Sequence, residues 1–141
     1  MFDAFRGVEL ILHAGDVGPM EIIIELEAIA PVHAVLGNTD SKELKPRVLD
    51  VVELELEGKK IVVMHGHQVG APTPERLCGA YPAADIIVYG HTHRQRVDHY
   101  NGCLIINPGA AGPPRFDLKP AVAILTLLNG SDPTIESIPL A

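Results

Sequence analysis

Apolar residues fall along this chain in two rhythms. Short β-branched or Leu-rich runs recur, each closed by Gly with His, Asp or Asn: "VELILHAGD", "VHAVLGNTD", "KIVVMHGH", "DIIVYGHTH" and "LIINPGA". Runs this apolar are expected of strands buried on both faces, and in open α/β sheets the ligand site lies beyond the carboxyl ends of such strands. The five polar clusters are therefore expected to meet at one edge. The second rhythm is strict alternation in "VVELELEGKKIVVMHG", where Val52, Leu54 and Leu56 oppose Glu53, Glu55 and Glu57 before Gly58. It predicts an antiparallel hairpin with one wet face.

Other segments supply the connections. "GPMEIIIELEAIAP" carries Ile, Leu and Ala at helical spacing, with Pro19 suited to a first turn and Pro31 ending the helix, so the first two runs form a β-α-β unit. "TPERLCGAYP" predicts a short second helix opened by Thr73 and Pro74. "RVDHYNGCLIIN" predicts a hairpin turned at Asn101-Gly102, a pair suited to positive φ, and "PAVAILTLL" and "TIESIPL" close the chain as strands. The sum is an α/β fold, a mixed sandwich. The 141 residues suit one domain, 1–141.

Composition narrows the class. Hydrophobic residues make up 47 % and charged residues 21 %, with no repeat or low-complexity tract, as in a folded protein. The net charge of -7 disfavours a nucleic-acid partner, which calls for clustered Lys and Arg. No apolar run approaches the roughly 20 residues of a membrane span, and "MFDAFRG" lacks the features of a signal peptide. Cys78 and Cys103 lack CxxC spacing and sit beside apolar neighbours, which fits reduced thiols serving as small core residues in a cytoplasmic protein.

The polar clusters carry the chemistry. His13 and His33 lie inside strand runs and His99 in a surface hairpin, and these three read as ordinary structural residues. Asp16, Asn38, His65, His91 and His93 all follow strands expected to end at the same edge. The bend at Gly90 lets the neighbouring imidazoles converge. One carboxylate, one amide oxygen and three imidazoles suit manganese, iron, zinc, nickel or cobalt.

"GD" at 15–16, "GNTD" at 37–40, "HGH" at 65–67, "GHTH" at 90–93 and "NPGA" at 107–110, in this order, resemble the calcineurin-like metallophosphoesterases. Within them the chain is most similar to the small single-domain bacterial and archaeal phosphodiesterases. The resemblance implies two packed mixed β-sheets flanked by helices, an α-β-β-α sandwich with two divalent metal ions between the strand ends, manganese first among them. Position by position, Asp16 would bridge the metals, Asn38, His65 and His91 would complete one site, and His93 would belong to the other. Asp16, Asn38 and His65 would thus be catalytic through the metals. A metal-bridging water would attack the phosphorus of a small-molecule phosphodiester. Arg115 in "GPPRF" would be a phosphate clamp, since its guanidinium fork suits phosphate oxygens.

Two departures from the family pattern shape the expectation. The family opens with a strand ending in Asp-x-His, and no such segment precedes "VELILHAGD". The expected explanation is a start upstream of Met1; a true short form is expected to be unstable or to complete its sheet through a partner, such as a second copy of itself. The second departure is Thr39, where many members carry His; a Thr hydroxyl is no comparable acid, so aryl diesters are expected to outpace monoesters. Asp40 would orient the Asn38 loop and His67 would support the site. The rival expectation is a non-catalytic scaffold of the same fold with a degraded metal site, as in retromer-type membrane coats.

Overall fold

The computed structural model describes residues 5, 7–15, 20–37, 50–92, 94–109, 121–128 and 132–139. Its elements in chain order are β1 (Ile11–His13), α1 (Met20–Glu27), β2 (Val32–Ala34), β3 (Val51–Leu56), β4 (Lys59–Met64), α2 (Pro74–Ala80), β5 (Ile86–Val88), β6 (Arg96–Tyr100), β7 (Cys103–Asn107), β8 (Ala121–Thr126) and β9 (Thr134–Pro139), with a short 3-10 turn at His67–Val69. The largest sheet is mixed, in the order β3-β4-β5-β7-β6. Its centre, β4-β5-β7, is parallel, and an antiparallel hairpin flanks it on each side.

Period-two side-chain alternation divides this sheet's two faces. Val52, Ile61, Val63, Ile86, Val88, Leu104 and Ile106 form one apolar layer, against which Leu12, Ala14, Val35, Leu125, Leu127 and Ile135 pack from β1, β2, β8, β9 and their flanks. Val62, Met64, Ile87, Cys103 and Ile105 form the other, covered by Leu77 and Cys78 of α2. On the far side, Ile23 and Leu26 of α1 bury against Ala34 and Ile11. The layers therefore run α, β, β, α, as expected of the sandwich.

The β-α-β unit forms with β1 and β2 parallel. Its helix is shorter than the apolar pattern allowed: α1 ends at Glu27, and the amides of Ile29 and Ala30 both bond to the Leu26 carbonyl before Pro31 is reached. Pro19 lies outside the described residues. The β3–β4 hairpin turns at Glu57-Gly58, both at positive φ, and the β6–β7 hairpin at Asn101-Gly102, with φ of 48° and 79°. Both positions of such a two-residue turn take left-handed φ, which Asn and Gly tolerate. Thr73 caps α2 by accepting from the Arg76 amide, with Pro74 in the first turn. In the second layer, among the described residues, β1–β2 and β8–β9 pair as two-stranded sheets facing the large mixed one. No helix among the described residues is long and apolar enough to cross a membrane.

Leu77 has no solvent exposure and holds α2 to the sheet. Leu77→Ala is expected to lower the unfolding free energy by about 2–5 kcal/mol, the usual cost of a Leu-sized core cavity, read from the urea midpoint at unchanged slope.

Candidate metal centre

The three central strands of the large sheet run parallel, so their carboxyl ends share one edge. β4 delivers His65, β5 delivers the Tyr89–Thr92 turn, and β7 ends on Asn107. His65 is almost fully buried, at 1 % exposure. Immediately after it Gly66, at φ 107°, reverses the chain into the 3-10 turn. The Gly90 amide donates to the His65 carbonyl at 3.0 Å, joining the exits of β4 and β5. His91 then takes a left-handed φ of 67°, uncommon outside glycine although His is among the side chains that adopt it most often.

Imidazoles converge at this edge. The His65 and His91 rings meet nearly edge to face with centroids 5.0 Å apart, and His67 lies 5.1 Å from His65 and 6.4 Å from His91. His65 Nδ1 and His67 Nδ1 are 2.9 Å apart in a hydrogen bond. One of these nitrogens must donate and the other accept, so at most one of the two rings is doubly protonated while the bond holds. The exit of β1 closes in from the facing layer. A Cβ built on Gly15 would lie 2.6 Å from His65 Cδ2, and one on Gly90 would lie 3.0 Å from the Ala14 carbonyl oxygen. Glycine at 15, with φ 98°, is what lets the β1 exit pass against the imidazole.

Asn107 holds the edge from β7. Its side chain is 1 % exposed; Nδ2 donates to the Gly90 carbonyl at 3.1 Å and to Thr92 Oγ1 at 2.9 Å, and Oδ1 accepts from the Gly109 amide at 3.0 Å. A buried amide so satisfied fixes the turn carrying His91. Tyr89 beside it is buried, and burial raises its phenol above the ordinary range, so it stays neutral.

Of the residues expected to form the site, His65 and His91 are brought together, and His67 joins them. Asp16, Asn38, His93 and Arg115, with Thr39 and Asp40, lie outside the described residues. Among the described residues no three His, Cys, Asp or Glu side chains are arranged to hold a metal by themselves. The donor chemistry fits a divalent cation nonetheless: a buried imidazole, His65, and a half-buried one, His91, share one sheet edge, and the first is oriented by a ring hydrogen bond, as metal-ligating histidines commonly are. His13, His33 and His99 lie on β1, β2 and β6, the strand positions expected of them. Sequence reasoning missed the work of Asn107 and of Gly15. The signal for the first was an amide ending a run as apolar as "CLIIN"; for the second nothing local distinguished a close approach from an ordinary turn glycine.

Comparison with known proteins bears on this edge. A family model for the calcineurin-like phosphoesterase superfamily domain matches residues 1–130. A probable metallophosphoesterase of Methanothermobacter thermautotrophicus is 35 % identical over 133 residues, covering 90 % of this chain and 74 % of that protein. Another from Methanocaldococcus jannaschii is 38 % identical over 122 residues, covering 84 % of this chain and 62 % of its own length. The chain thus spans between three fifths and three quarters of these two relatives. Among solved structures, an archaeal phosphodiesterase superposes with a TM-score of 0.80 at 25 % identity, covering 99 % of this chain and 88 % of that one. Vps29 of Entamoeba histolytica, solved in complex with zinc, superposes with a TM-score of 0.80 at 23 % identity, covering 98 % and 85 %, a likeness of fold.

Gly15→Ala forces the His65 ring to move. It is expected to cost roughly 1–3 kcal/mol of stability by overpacking, and to shift the His65 imidazole resonances in a two-dimensional NMR spectrum while leaving His99 unmoved; unchanged His65 resonances would contradict the close approach.

Proposed function

Given that the chain belongs to the calcineurin-like phosphoesterase superfamily, we propose that it is a divalent-metal-dependent phosphodiesterase acting on a small-molecule diester, with residues 1–141 forming one metallophosphoesterase-like domain. The observation that carries this reading is the pair of imidazoles, His65 and His91, set edge to face at 5.0 Å where two parallel strands end. A scaffold use of the same fold gives no chemical reason to hold two imidazoles there. The metal ligands in this reading are Asp16, Asn38, His65, His91 and His93, with two divalent cations and manganese the first candidate.

Divalent cations held by such a set supply positive charge for the phosphoryl oxygens and acidify water. The chain's own residues do the rest. The hydrogen bond with His67 occupies His65 Nδ1, so His65 would ligate through Nε2, with its own Nδ1 donating and His67 Nδ1 accepting. Asn107 and the left-handed His91 backbone keep the second imidazole from swinging away from the first. Arg115 would hold a nonbridging phosphate oxygen through its guanidinium fork. Thr39 offers no acid able to protonate a poor leaving group at neutral pH, so aryl and other stable leaving groups are favoured.

Loaded with manganese, the full chain is expected to hydrolyse bis(p-nitrophenyl) phosphate faster than p-nitrophenyl phosphate, to lose the activity to a chelator and to regain it with manganese. His65→Ala and His91→Ala are each expected to lower turnover by more than the roughly 10–100-fold that loss of a supporting partner costs a metal site. Metal bound without turnover would assign the edge a structural role instead, and absence of both would favour the scaffold. Faster cleavage of the monoester would overturn the leaving-group assignment.

A further inference from the structure

The chain's two cysteines, distant in sequence, meet on the face of the large sheet opposite the β1–β2 layer. Cys78 projects from α2, half-buried, onto the apolar layer that contains Cys103, the first residue of β7, itself 4 % exposed. The Cys78 thiol donates to the Tyr100 carbonyl at 3.8 Å, and Tyr100 is the residue directly opposite Cys103 across the β6–β7 hairpin. Both side chains thus belong to one apolar cluster, beside the Tyr100–Cys103 strand pair.

We propose that Cys78 and Cys103 form an oxidisable thiol pair that hydrogen peroxide converts to an intrachain disulfide, stapling α2 to β7. The Cys78 sulfur, the more accessible of the two, attacks a peroxide oxygen as the thiolate. The O–O bond breaks, Cys78 becomes a sulfenic acid, and the departing hydroxide takes up a proton as water. The Cys103 sulfur then attacks the Cys78 sulfur; the S–S bond forms, the S–O bond breaks, and the second hydroxide leaves with the Cys103 proton as water. Two thiols are oxidised by two electrons in all, and one hydrogen peroxide is reduced. Burial above all, and then the neighbouring Cys78 thiol, push the Cys103 thiol up to about 12, so Cys103 does not make the first attack and releases its proton only as its sulfur bonds to Cys78. A disulfide bond is only about 2 Å long, so closure draws the half-buried Cys78 side chain inward by a rotation.

The staple has a consequence for the imidazole edge. Residues 79–102, between the two cysteines, contain β5, the Gly90–Thr92 turn with His91, and β6. Oxidation would close this segment into a covalent ring, while α2, whose Arg76 Nη1 donates to the Val69 and Ala71 carbonyls at 3.5 Å, lies against the loop that follows His65. Both histidine loops would then be tethered to one cross-link that lies outside the metal centre, and the pair is independent of which reaction that centre catalyses.

The test is peroxide treatment of the reduced full chain, followed by alkylation under denaturing conditions and mass spectrometry. The expected result is a monomer lighter by two hydrogens, with Cys78 and Cys103 both shielded from alkylation until a reductant is added. Its thermal midpoint should be higher, and its Gly90 and Thr92 amide exchange slower, than in the reduced chain. Cys103→Ser should stop at the sulfenic acid, trapped by dimedone on Cys78, and Cys78→Ser should leave Cys103 alkylatable. Two alkylatable thiols after peroxide, a disulfide between chains, or sulfenic acid persisting on Cys78 in the unmutated chain would each overturn the proposal.

Discussion

The imidazole edge depends on the parallel ladder β4-β5-β7. Because Ile61 to Val63, Ile86 to Val88 and Leu104 to Ile106 align in register, the three strands finish level, and whatever follows each is delivered to the same place. The first residue beyond β4 is His65, β5 leads into the His91 turn, and β7 ends on Asn107. Two further bonds turn this coincidence of strand ends into a site: the Gly90 amide on the His65 carbonyl, and the Asn107 amide on the Gly90 carbonyl. A slip of one residue in any of the three strands would reverse its side chains between the two apolar layers, so the register that buries the core also places the ligands.

Much of this was readable because its causes are local. Alternation of Val and Leu with Glu reports a half-buried hairpin directly, Asn101-Gly102 names its own turn, and Thr73-Pro74 marks a helix start with a capping oxygen and a missing amide in the right order. The convergence of His65 with His91 was also legible, because strand ends in a parallel sheet carry their polar residues to one side. Less was legible where the cause was tertiary. Asn107 reads as the polar end of an apolar strand, and only the neighbouring Gly90 carbonyl and Thr92 hydroxyl reveal it as a clamp. Gly15 matters because His65, fifty residues later, lies where its Cβ would be. The meeting of Cys78 with Cys103 arises from α2 packing over the hairpin, and no spacing rule reports it.

The large sheet also shows a division of labour between its faces. One layer of Val, Ile and Leu is shared with the facing strands and fixes the sandwich; the other is shared with α2 and holds the loop after His65 through Thr73, Leu77 and Arg76. The polar edge lies at the seam where both layers run out, which places His65 and Asn107 at near-complete burial while keeping His91 within reach of solvent. Electrostatic interactions gain strength in such a half-desolvated setting, because nearby charges are poorly screened.

The β3–β4 hairpin bears on a different matter. Among the described residues β3 is an outer strand of the large sheet, with Glu53 and Glu55 exposed along it and Glu55 opposite Lys60. A bare strand edge is a template on which another chain can add by backbone pairing. Two carboxylates on a strand six residues long make a like copy arriving in register bring its own negative charges alongside, so the sequence pattern that announced the hairpin also discourages the sheet from growing into an aggregate.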